Sequence, residues 1–430
     1  MKQLRSLLLV VLSLGALTAA VAWQAPQDRL PVLKSGPCWW KGNLHTHSFW
    51  SDGDDFPEMI ADWYKQHGYD FLTLSDHNVL SEGQRWIDVI GPKSSRAVAL
   101  KKYLARFGPT WVEQRTTGGK QQVRLKPLSE FRSLLEEPGR FLLIQGEEIT
   151  SKYAKYPVHL NAINLRDVIG PLSGDSVAAA VRANLRSVQE QQKKTGRPMV
   201  AFLNHPNFGW GVKAEDMLAE ELRFFEVFNG HPGVKNYGDA IHPGTEKIWD
   251  IILALRLGKA GLPIVFGLGT DDAHGYHAYG VGKVNPGRGW IMVRASHLTA
   301  EALMTAMHSG DFYASTGVTL DQVRRQDDQI LLKIRPEKGV SYKTQFVATL
   351  KGTPLESATR KDEKGQPVDV TRIYNPEVGK VMAESDSLEP AYRFAGNELY
   401  VRARITSTKA HPNPYQKGDV EMAWTQPLTP

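Results

Sequence analysis

Cysteine is almost absent from this sequence of 430 residues, because Cys38 is the only one. A single thiol excludes an internal disulfide, so packing and any bound ligand have to stabilise the folded chain. Cys38 stands beside Trp39 and Trp40 and is interpreted as a small buried residue ahead of the first strand. The chain is long enough for two or three domains with a large core.

Excess charge is missing as well. The formal net charge is +6, and without Lys2 and Arg5 of the N-terminal segment it is +4. A charge this small gives no argument for a nucleic-acid partner, and none is expected.

The chain also has little long apolar sequence, and its one leader-like run is short. Lys2 and Arg5 precede the apolar Leu7 to Leu12, and Ala20-Val21-Ala22 supplies small residues at the offsets of a cleavage site. This order predicts a secretory signal over 1–22 and a mature protein starting at Trp23, periplasmic or secreted. An uncleaved anchor is the alternative, but the run is short for a span of about 20 residues. No stable membrane insertion is expected after cleavage, and the sequence does not indicate an oligomeric state.

What the sequence does contain is a stretch, GNLHTHSFWSDG from Gly42 to Gly53, with three metal-ligand side chains in eight positions. In an extended strand, alternate side chains share a face, so His45 and His47 would point together. Asp52 follows closely. Two solvent-facing strand histidines are the alternative interpretation of H-x-H alone.

Four further clusters repeat the pattern of a short apolar run followed by a metal-ligand residue type. Short β-prone runs separated by helix-length segments predict repeated βα units and a parallel sheet or barrel, whose sites form at the C-terminal ends of the strands. The clusters are Asp76-His77-Asn78, Glu147-Glu148, Asn204-His205-Pro206 and Asp271-Asp272-Ala273-His274.

As an ordered set, H-T-H with S-D-G, S-D-H-N, G-x-E-I, N-H-P and D-A-H resembles the polymerase and histidinol phosphatase (PHP) family of metal-dependent hydrolases. The resemblance runs from about Gly42 to His274. It implies a distorted (β/α)7 barrel holding two or three divalent metal ions. The later F-Y-A-S-T-G and A-W-T-Q-P elements resemble the carbaryl-hydrolase-like branch.

The resemblance also implies a ligand set. His45, His47, Glu148 and Asp272 would hold one ion, and Glu148 would bridge to a second ion held by His159 and His205. Asp52, His77 and His274 would complete a third position, although many relatives carry histidine where Asp52 stands. Glu148 rather than Glu147, and Asp272 rather than Asp271, follow from motif spacing. The catalytic set is His45, His47, Glu148, Asp272 and His274.

Other polar residues near these motifs have weaker assignments. Glu226, Asn229 and His231 follow a predicted strand and are candidates for supporting the ligands or binding substrate, with packing as the alternative for Glu226. His67 falls at a helix end and is not expected to be a ligand. The segment from Ser81 to Pro138 is predicted to form helices and a loop over the site, with most of its charges solvated.

Beyond Val318 the pattern changes to short β-prone runs between Gly, Pro and charged loops. The predicted domains are therefore a barrel over 23–318 and a β-sandwich-like domain over 319–430.

Histidine and carboxylate donors suit Zn²⁺, Mn²⁺ or Fe²⁺. The predicted function is an exported hydrolase that uses a metal-activated water on a small-molecule ester, with phosphomonoesters or phosphodiesters as the expected substrates. A carbamate or carboxylic ester hydrolase on the same site is one alternative, and a non-catalytic metal or ligand-binding barrel is another.

Overall fold

The computed structural model of the protein describes residues 36–89, 91 and 94–430. The predicted signal segment 1–22 and the predicted start at Trp23 lie outside this part of the chain. Within the described residues, no helix has the length and apolar character needed to cross a bilayer.

The described chain contains both helices and strands up to α6, and its regular elements after α6 are all strands. The helices are α1 (Pro57–Gln66), α2 (Ser95–Phe107), α3 (Leu128–Leu135), α4 (Val177–Thr195), α5 (Thr245–Leu255) and α6 (Ala300–His308). The strands up to α6 are β1 (Cys38–Asn43), β2 (Phe71–Leu74), β3 (Arg85–Asp88), β4 (Gln114–Thr117), β5 (Lys120–Leu125), β6 (Leu142–Tyr153), β7 (Tyr156–Ile163), β8 (Val200–Leu203), β9 (Phe224–Asn229), β10 (Phe266–Thr270) and β11 (Trp290–Ala295). The later strands are β12 (Phe312–Ser315), β13 (Leu320–Gln326), β14 (Gln329–Ile334), β15 (Tyr342–Leu350), β16 (Lys380–Ser385), β17 (Ala391–Arg393), β18 (Glu398–Ala410) and β19 (Val420–Thr425).

One sheet of thirteen strands organises the chain, in the order β10-β9-β8-β7-β6-β2-β1-β11-β12-β19-β18-β15-β16. β1, β2 and β6 are parallel, and so are β8, β9 and β10. β7 is antiparallel to both of its neighbours. The expectation of a parallel sheet is therefore wrong at β7, where a tight turn with Ala154 at φ 52° replaces a crossover helix after β6. It is also wrong at β11, which is antiparallel to both β1 and β12.

The helices bury apolar faces against this sheet. α5 shows why: its buried Ile248, Trp249 and Ile252 recur at helical spacing and pack into a core with Phe225 of β9 and Trp424 of β19. α4 is capped at its N-terminus by Ser176, whose side chain accepts a hydrogen bond from the Ala179 amide, and at its C-terminus by Gly196 in the left-handed region.

The segment from Ser81 to Pro138 contains more β structure than its sequence predicts. It includes α2 and α3 as expected, but β3, β5 and β4 also form a separate three-stranded sheet. Its Ile87, Val123 and Leu125 pack with Phe49 and Trp50 of the loop that follows β1. The segment thereby supports the loop that carries Asp52.

After α6 the described chain is β-rich, as predicted. β13, β14 and β17 form a small sheet whose Leu320, Ile330 and Leu332 pack against Phe346 and Val401 of the large sheet. β12 pairs with β19, so the thirteen-stranded sheet continues without a break into this region. The mixed α/β class agrees with expectation, whereas barrel closure, a sandwich and a domain boundary at 319 stay predictions.

Candidate metal centre

His45 and His47 lie in the loop that leaves β1, and the loop that leaves β10 holds their backbone. The His47 amide donates to the Ala273 carbonyl at 2.9 Å, and the Asp272 amide donates to the His45 carbonyl at 3.0 Å. Both imidazoles are fully buried, with ring centroids 5.2 Å apart. The alternation expected from H-x-H thus brings both rings to the same side.

Glu148 lies within β6 rather than after it, because the strand continues to Tyr153. The strand-end position expected for it is therefore wrong, since β6 and β7 extend past the sheet edge as a hairpin. Alternation still separates the two glutamates. Glu147 accepts a hydrogen bond from the Ile169 amide at 2.6 Å, whereas Glu148 Oε1 accepts one from Asn204 Nδ2 at 2.8 Å.

The two aspartates after β10 also have separate environments. Asp271 accepts hydrogen bonds from the amides of Gly287, Arg288 and Gly289 and from the Tyr64 hydroxyl, which is a structural role. Asp272 has a φ of +49°, in the left-handed region that non-glycine residues rarely adopt. Its Oδ1 lies 3.2 Å from His45 Nε2 and 3.3 Å from His47 Nε2.

Three residues form the outer part of the cluster. Asp52 has a side chain that is 58% exposed, and its Oδ1 lies 3.4 Å from His274 Nε2 and 3.7 Å from His77 Nε2. The same oxygen is 3.7 Å from His47 Nδ1. His77 is held by a hydrogen bond between its Nδ1 and Thr150 Oγ1. This edge is where the cluster meets solvent.

His159 and His205 complete the opposite part. His159, in β7, has its Nδ1 3.0 Å from Glu148 Oε1, and His205, just after β8, has its Nε2 3.4 Å from the same oxygen. The antiparallel direction of β7 brings His159 opposite Thr150 of β6.

All nine residues that the sequence selects come together. They form four overlapping groups in which one ligand atom from each residue lies within 4.8 Å of the others. The groups are His47, Asp52, His77 and His274; His45, His205 and Asp272; His45, His47 and Glu148; and Glu148, His159 and His205.

The donor atoms at the centre fit divalent cations. Nε2 of His45, Nε2 of His47 and Oε2 of Glu148 are buried, and none has a hydrogen-bond partner among the described residues. Oε2 lies 3.5 Å and 3.3 Å from the two nitrogens and 2.8 Å from His77 Nδ1. Buried polar atoms normally have partners, and imidazole and carboxylate atoms that converge without one are the ligands of Zn²⁺, Mn²⁺ or Fe²⁺.

Electrostatics place the three carboxylates and His47 in a metal-binding protonation state, whereas nearby carboxylates raise the pKa of His77, His205 and His274 despite burial. Burial alone would raise the pKa of Glu148, but the neighbouring His45 and His159 hold that pKa well below its ordinary value. Burial and the adjacent His274 lower the pKa of His47 to about 3, so His47 is neutral. The pKa of His45 is raised despite burial, because Asp272, Glu226 and Glu148 surround it. A bound cation would balance the same negative charge of Asp272, Glu226 and Glu148.

Glu226 of β9 orients His45 and organises the adjacent loops. Its Oε1 lies 2.7 Å from His45 Nδ1 and accepts a hydrogen bond from Thr270 Oγ1 at 2.7 Å. Its Oε2 accepts hydrogen bonds from the His205 amide and from Asn229 Nδ2, at 2.7 and 2.8 Å. A carboxylate on one imidazole nitrogen directs the other nitrogen toward the cluster. The supporting role is therefore favoured over packing for Glu226, and Asn229 also donates to Asp272 Oδ2 at 3.1 Å.

Sequence reasoning missed Thr150, Asn204 and Phe208, all of which contact the ligand residues. Asn204 stands inside the N-H-P motif, so the sequence carries a signal for its role. Nothing in the sequence marks Thr150 or Phe208 as site residues. His67 is at the end of α1 as predicted, with its Nδ1 bonded to the Trp63 carbonyl.

Comparison with known proteins gives little beyond this geometry. No protein-family model matches the chain, and no curated protein matches it. A solved two-domain protein from Bacteroides vulgatus, described as containing a predicted PHP-like metal-dependent phosphoesterase, aligns over 93% of this chain and 98% of that chain. The identity is 16% and the TM-score is 0.38. An alignment this weak does not support a functional assignment, so the chemistry proposed for the site rests on the residues described above.

Proposed function

We propose that this chain is a metal-dependent hydrolase of PHP type that cleaves phosphate esters with water as the nucleophile. The observation that carries the proposal is the convergence of His45 Nε2, His47 Nε2 and Glu148 Oε2, all buried and without hydrogen-bond partners among the described residues. Most buried polar atoms have partners, so unpartnered atoms that converge from three different ligand residues point to an ion.

The proposed ligand sets are those that the sequence resemblance implies, and the four overlapping groups are compatible with them. His45, His47, Glu148 and Asp272 would hold one ion, Glu148, His159 and His205 a second, and Asp52, His77 and His274 a third. Four residues each belong to two of the groups, which favours a site for more than one ion: His45, His47, Glu148 and His205. Divalent ions, when bound, supply Lewis-acid chemistry that activates water at neutral pH and stabilises negative charge on oxygen.

The chain itself supplies orientation, charge and access. Glu226 holds His45 Nδ1, Thr150 holds His77 Nδ1 and Asn204 holds Glu148 Oε1. Glu148 and Asp272, whose pKa values are both well below the ordinary range, carry full negative charge at neutral pH. Exposed Asp52 and partly exposed His77 and His274 leave an opening through which an ester can reach the cluster.

The testing experiment combines metal analysis with a substrate panel. Protein purified without chelator is expected to contain transition metal and to hydrolyse p-nitrophenyl phosphate or bis(p-nitrophenyl) phosphate. Chelation should abolish this activity and added Zn²⁺ or Mn²⁺ should restore it. Full activity in metal-free protein would overturn the proposal. Faster cleavage of p-nitrophenyl acetate or an aryl carbamate would support the carbonyl-directed alternative.

Export of the mature chain is part of the same proposal and is supported by the N-terminal charge, apolar run and A-x-A pattern. Sequencing the N-terminus of protein recovered from the periplasm or medium tests it. A start near Trp23 is expected, and an intact Met1 in the cytoplasm would refute it.

A further inference from the structure

Two aromatic side chains flank the cluster but belong to none of its ligand groups. His231, half-buried, has its ring centroid 5.4 Å from that of His274 and 6.2 Å from that of Phe208. Phe208 in turn lies 5.0 Å from His205 and 6.1 Å from His159. His231 and Phe208 therefore border the cluster on two sides, at His274 and at His159 with His205.

The local backbone fixes which nitrogen of His231 carries its proton. The Gly233 amide donates to His231 Nδ1 at 3.0 Å, so Nδ1 is an acceptor and the proton of the neutral ring is on Nε2. Nε2 has no hydrogen-bond partner among the described residues. The His231 amide is itself held by Asn229 Oδ1 at 2.8 Å, which ties the loop to β9.

Gly233 is the residue that permits this arrangement. A Cβ at position 233 would lie 2.9 Å from Nδ1 and Cε1 of His231 and 3.3 Å from Phe208. The Gly233 φ is outside the left-handed region, so an alanine there would be resisted by these side chains rather than by its own backbone.

Phe208 is held by a strained turn. Gly209 and Trp210 both have positive φ, at 57° and 54°, which is unusual for a bulky residue such as Trp210. The Trp210 ring stacks on His242 at 3.8 Å with an interplanar angle of 5°. The stack of Trp210 on His242 holds the turn that directly follows Phe208.

We propose that His231 is a substrate-binding residue whose Nε2–H donates a hydrogen bond to a phosphoryl oxygen of the ester, beside an apolar wall formed by Phe208. The inference rests on the proposed function, since it names a residue that would orient the substrate of that site. A neutral donor recognises an oxygen of the tetrahedral phosphoryl group without adding charge to a cluster already rich in histidine.

The test uses inorganic phosphate as probe and metal-loaded full-length protein. His231→Leu removes the donor, His231→Gln retains a neutral N–H donor, and exposed His297→Leu is the matched control. Calorimetry is expected to show phosphate binding roughly tenfold or more weaker in the leucine variant. The glutamine variant and the control should stay within about threefold of the parent, and metal content should be equal in all four proteins.

Kinetics on p-nitrophenyl phosphate give a second measurement. A contact made equally to substrate and transition state raises KM and leaves kcat nearly unchanged, so His231→Leu should raise KM by roughly tenfold. Gly233→Ala should raise KM in the parent, because it displaces the ring, and most of that effect should vanish in the His231→Leu background.

The outcomes separate this inference from the proposed function. Unaltered phosphate binding and KM in His231→Leu, loss of metal in that variant, or a glutamine variant as weak as leucine would each overturn the role of His231. A parent protein that binds phosphate through His231 but hydrolyses no ester would overturn the hydrolase and leave the binding residue in place.

Discussion

Two of the buried clusters of charged side chains in the described part of the chain differ in how completely their atoms are paired. In the first, around His45, His47 and Glu148, three donor atoms have no hydrogen-bond partner among the described residues. In the second, Arg402 of β18 is buried against α5. Its Nε and Nη2 donate to Asp250 at 2.9 and 2.8 Å, and its Nη1 donates to Glu246 at 3.0 Å.

The difference separates a structural cluster from a functional one. Tyr400 also donates to Asp250 at 2.8 Å, so the Arg402 cluster satisfies itself and has no capacity for a ligand. The histidine cluster satisfies only its outer atoms, through Glu226, Thr150 and Asn204, and leaves its inner atoms available. Counting buried charges would treat the two alike, whereas counting their unpaired atoms distinguishes them.

The largest expected effect comes from breaking the self-satisfied cluster. Arg402→Met leaves the buried Asp250 carboxylate without its positively charged partner, which should lower the free energy of unfolding by about 3–5 kcal/mol. Urea denaturation measures it, with Arg404→Met as control, because Arg404 is part-exposed and contacts Glu246 at a longer 3.3 Å. Activity per folded molecule should not change. A smaller loss for Arg402→Met than for Arg404→Met would contradict the assignment.

Removing a proposed ligand should do the opposite, affecting activity more than stability of the apo chain. His45→Ala or Asp272→Ala should lower turnover by more than about 100-fold, since even outer partners of metal ligands are worth about 10–100-fold. His67→Ala and His308→Ala, which alter histidines at the ends of α1 and α6, are the controls. Steady-state kinetics and metal analysis report the result. Activity abolished at His67 but intact at His45 would refute the site.

Glu226→Gln tests the support of the cluster without deleting a ligand. The amide keeps the shape of the carboxylate but removes the charge beside His45 Nδ1, so metal affinity should fall by about 10–100-fold. Competition with a chromogenic chelator measures affinity directly. Glu147→Gln is the matched control, because that buried glutamate bonds to the Ile169 amide on the other face of β6. Equal losses in both variants would remove the special role of Glu226.

Glu58 is a third kind of buried charged group, because a proton rather than a partner residue or a cation neutralises its unpaired oxygen. Its Oε1 accepts from Tyr103 and Trp111, its Oε2 is unpaired, and burial raises its pKa to about 7. The folded state therefore retains a proton that the unfolded chain loses above its ordinary pKa, so this group's contribution to stability falls as pH rises toward 7.

The matching measurement compares wild type with Glu58→Gln. Urea denaturation gives the free energy of unfolding of both proteins. Between pH 6 and pH 8, this free energy should rise by about 1 kcal/mol in the variant relative to wild type. Taking the difference between the two proteins cancels the other carboxyls that titrate in that range. A difference independent of pH would show that Glu58 is ionised in the folded state.

Sequence reasoning anticipated the nine clustered residues better than their supports. H-x-H alternation is a local signal that predicts the shared face of His45 and His47, whereas the choice of Asp272 over Asp271 follows from the spacing of the motif that the sequence resembles. Glu226 is 181 positions from His45 in the chain, and no local pattern encodes that contact. The antiparallel direction of β7 was also missed, because a hairpin turn at Ala154 without glycine resembles an ordinary loop in sequence.

Hydrogen bonds join the loop after β1 to the loop after β10, so the cluster also cross-links two distant parts of the chain. Asn43 is the last residue of β1 and Asp271 the first residue after β10, and these two residues, 228 positions apart, are joined by a side-chain hydrogen bond. An ion held by His45 and Asp272 would close the same long loop, as a disulfide does in other proteins. Because it would bind the folded chain and not the unfolded one, its free concentration would set the melting temperature of a protein that has no disulfide.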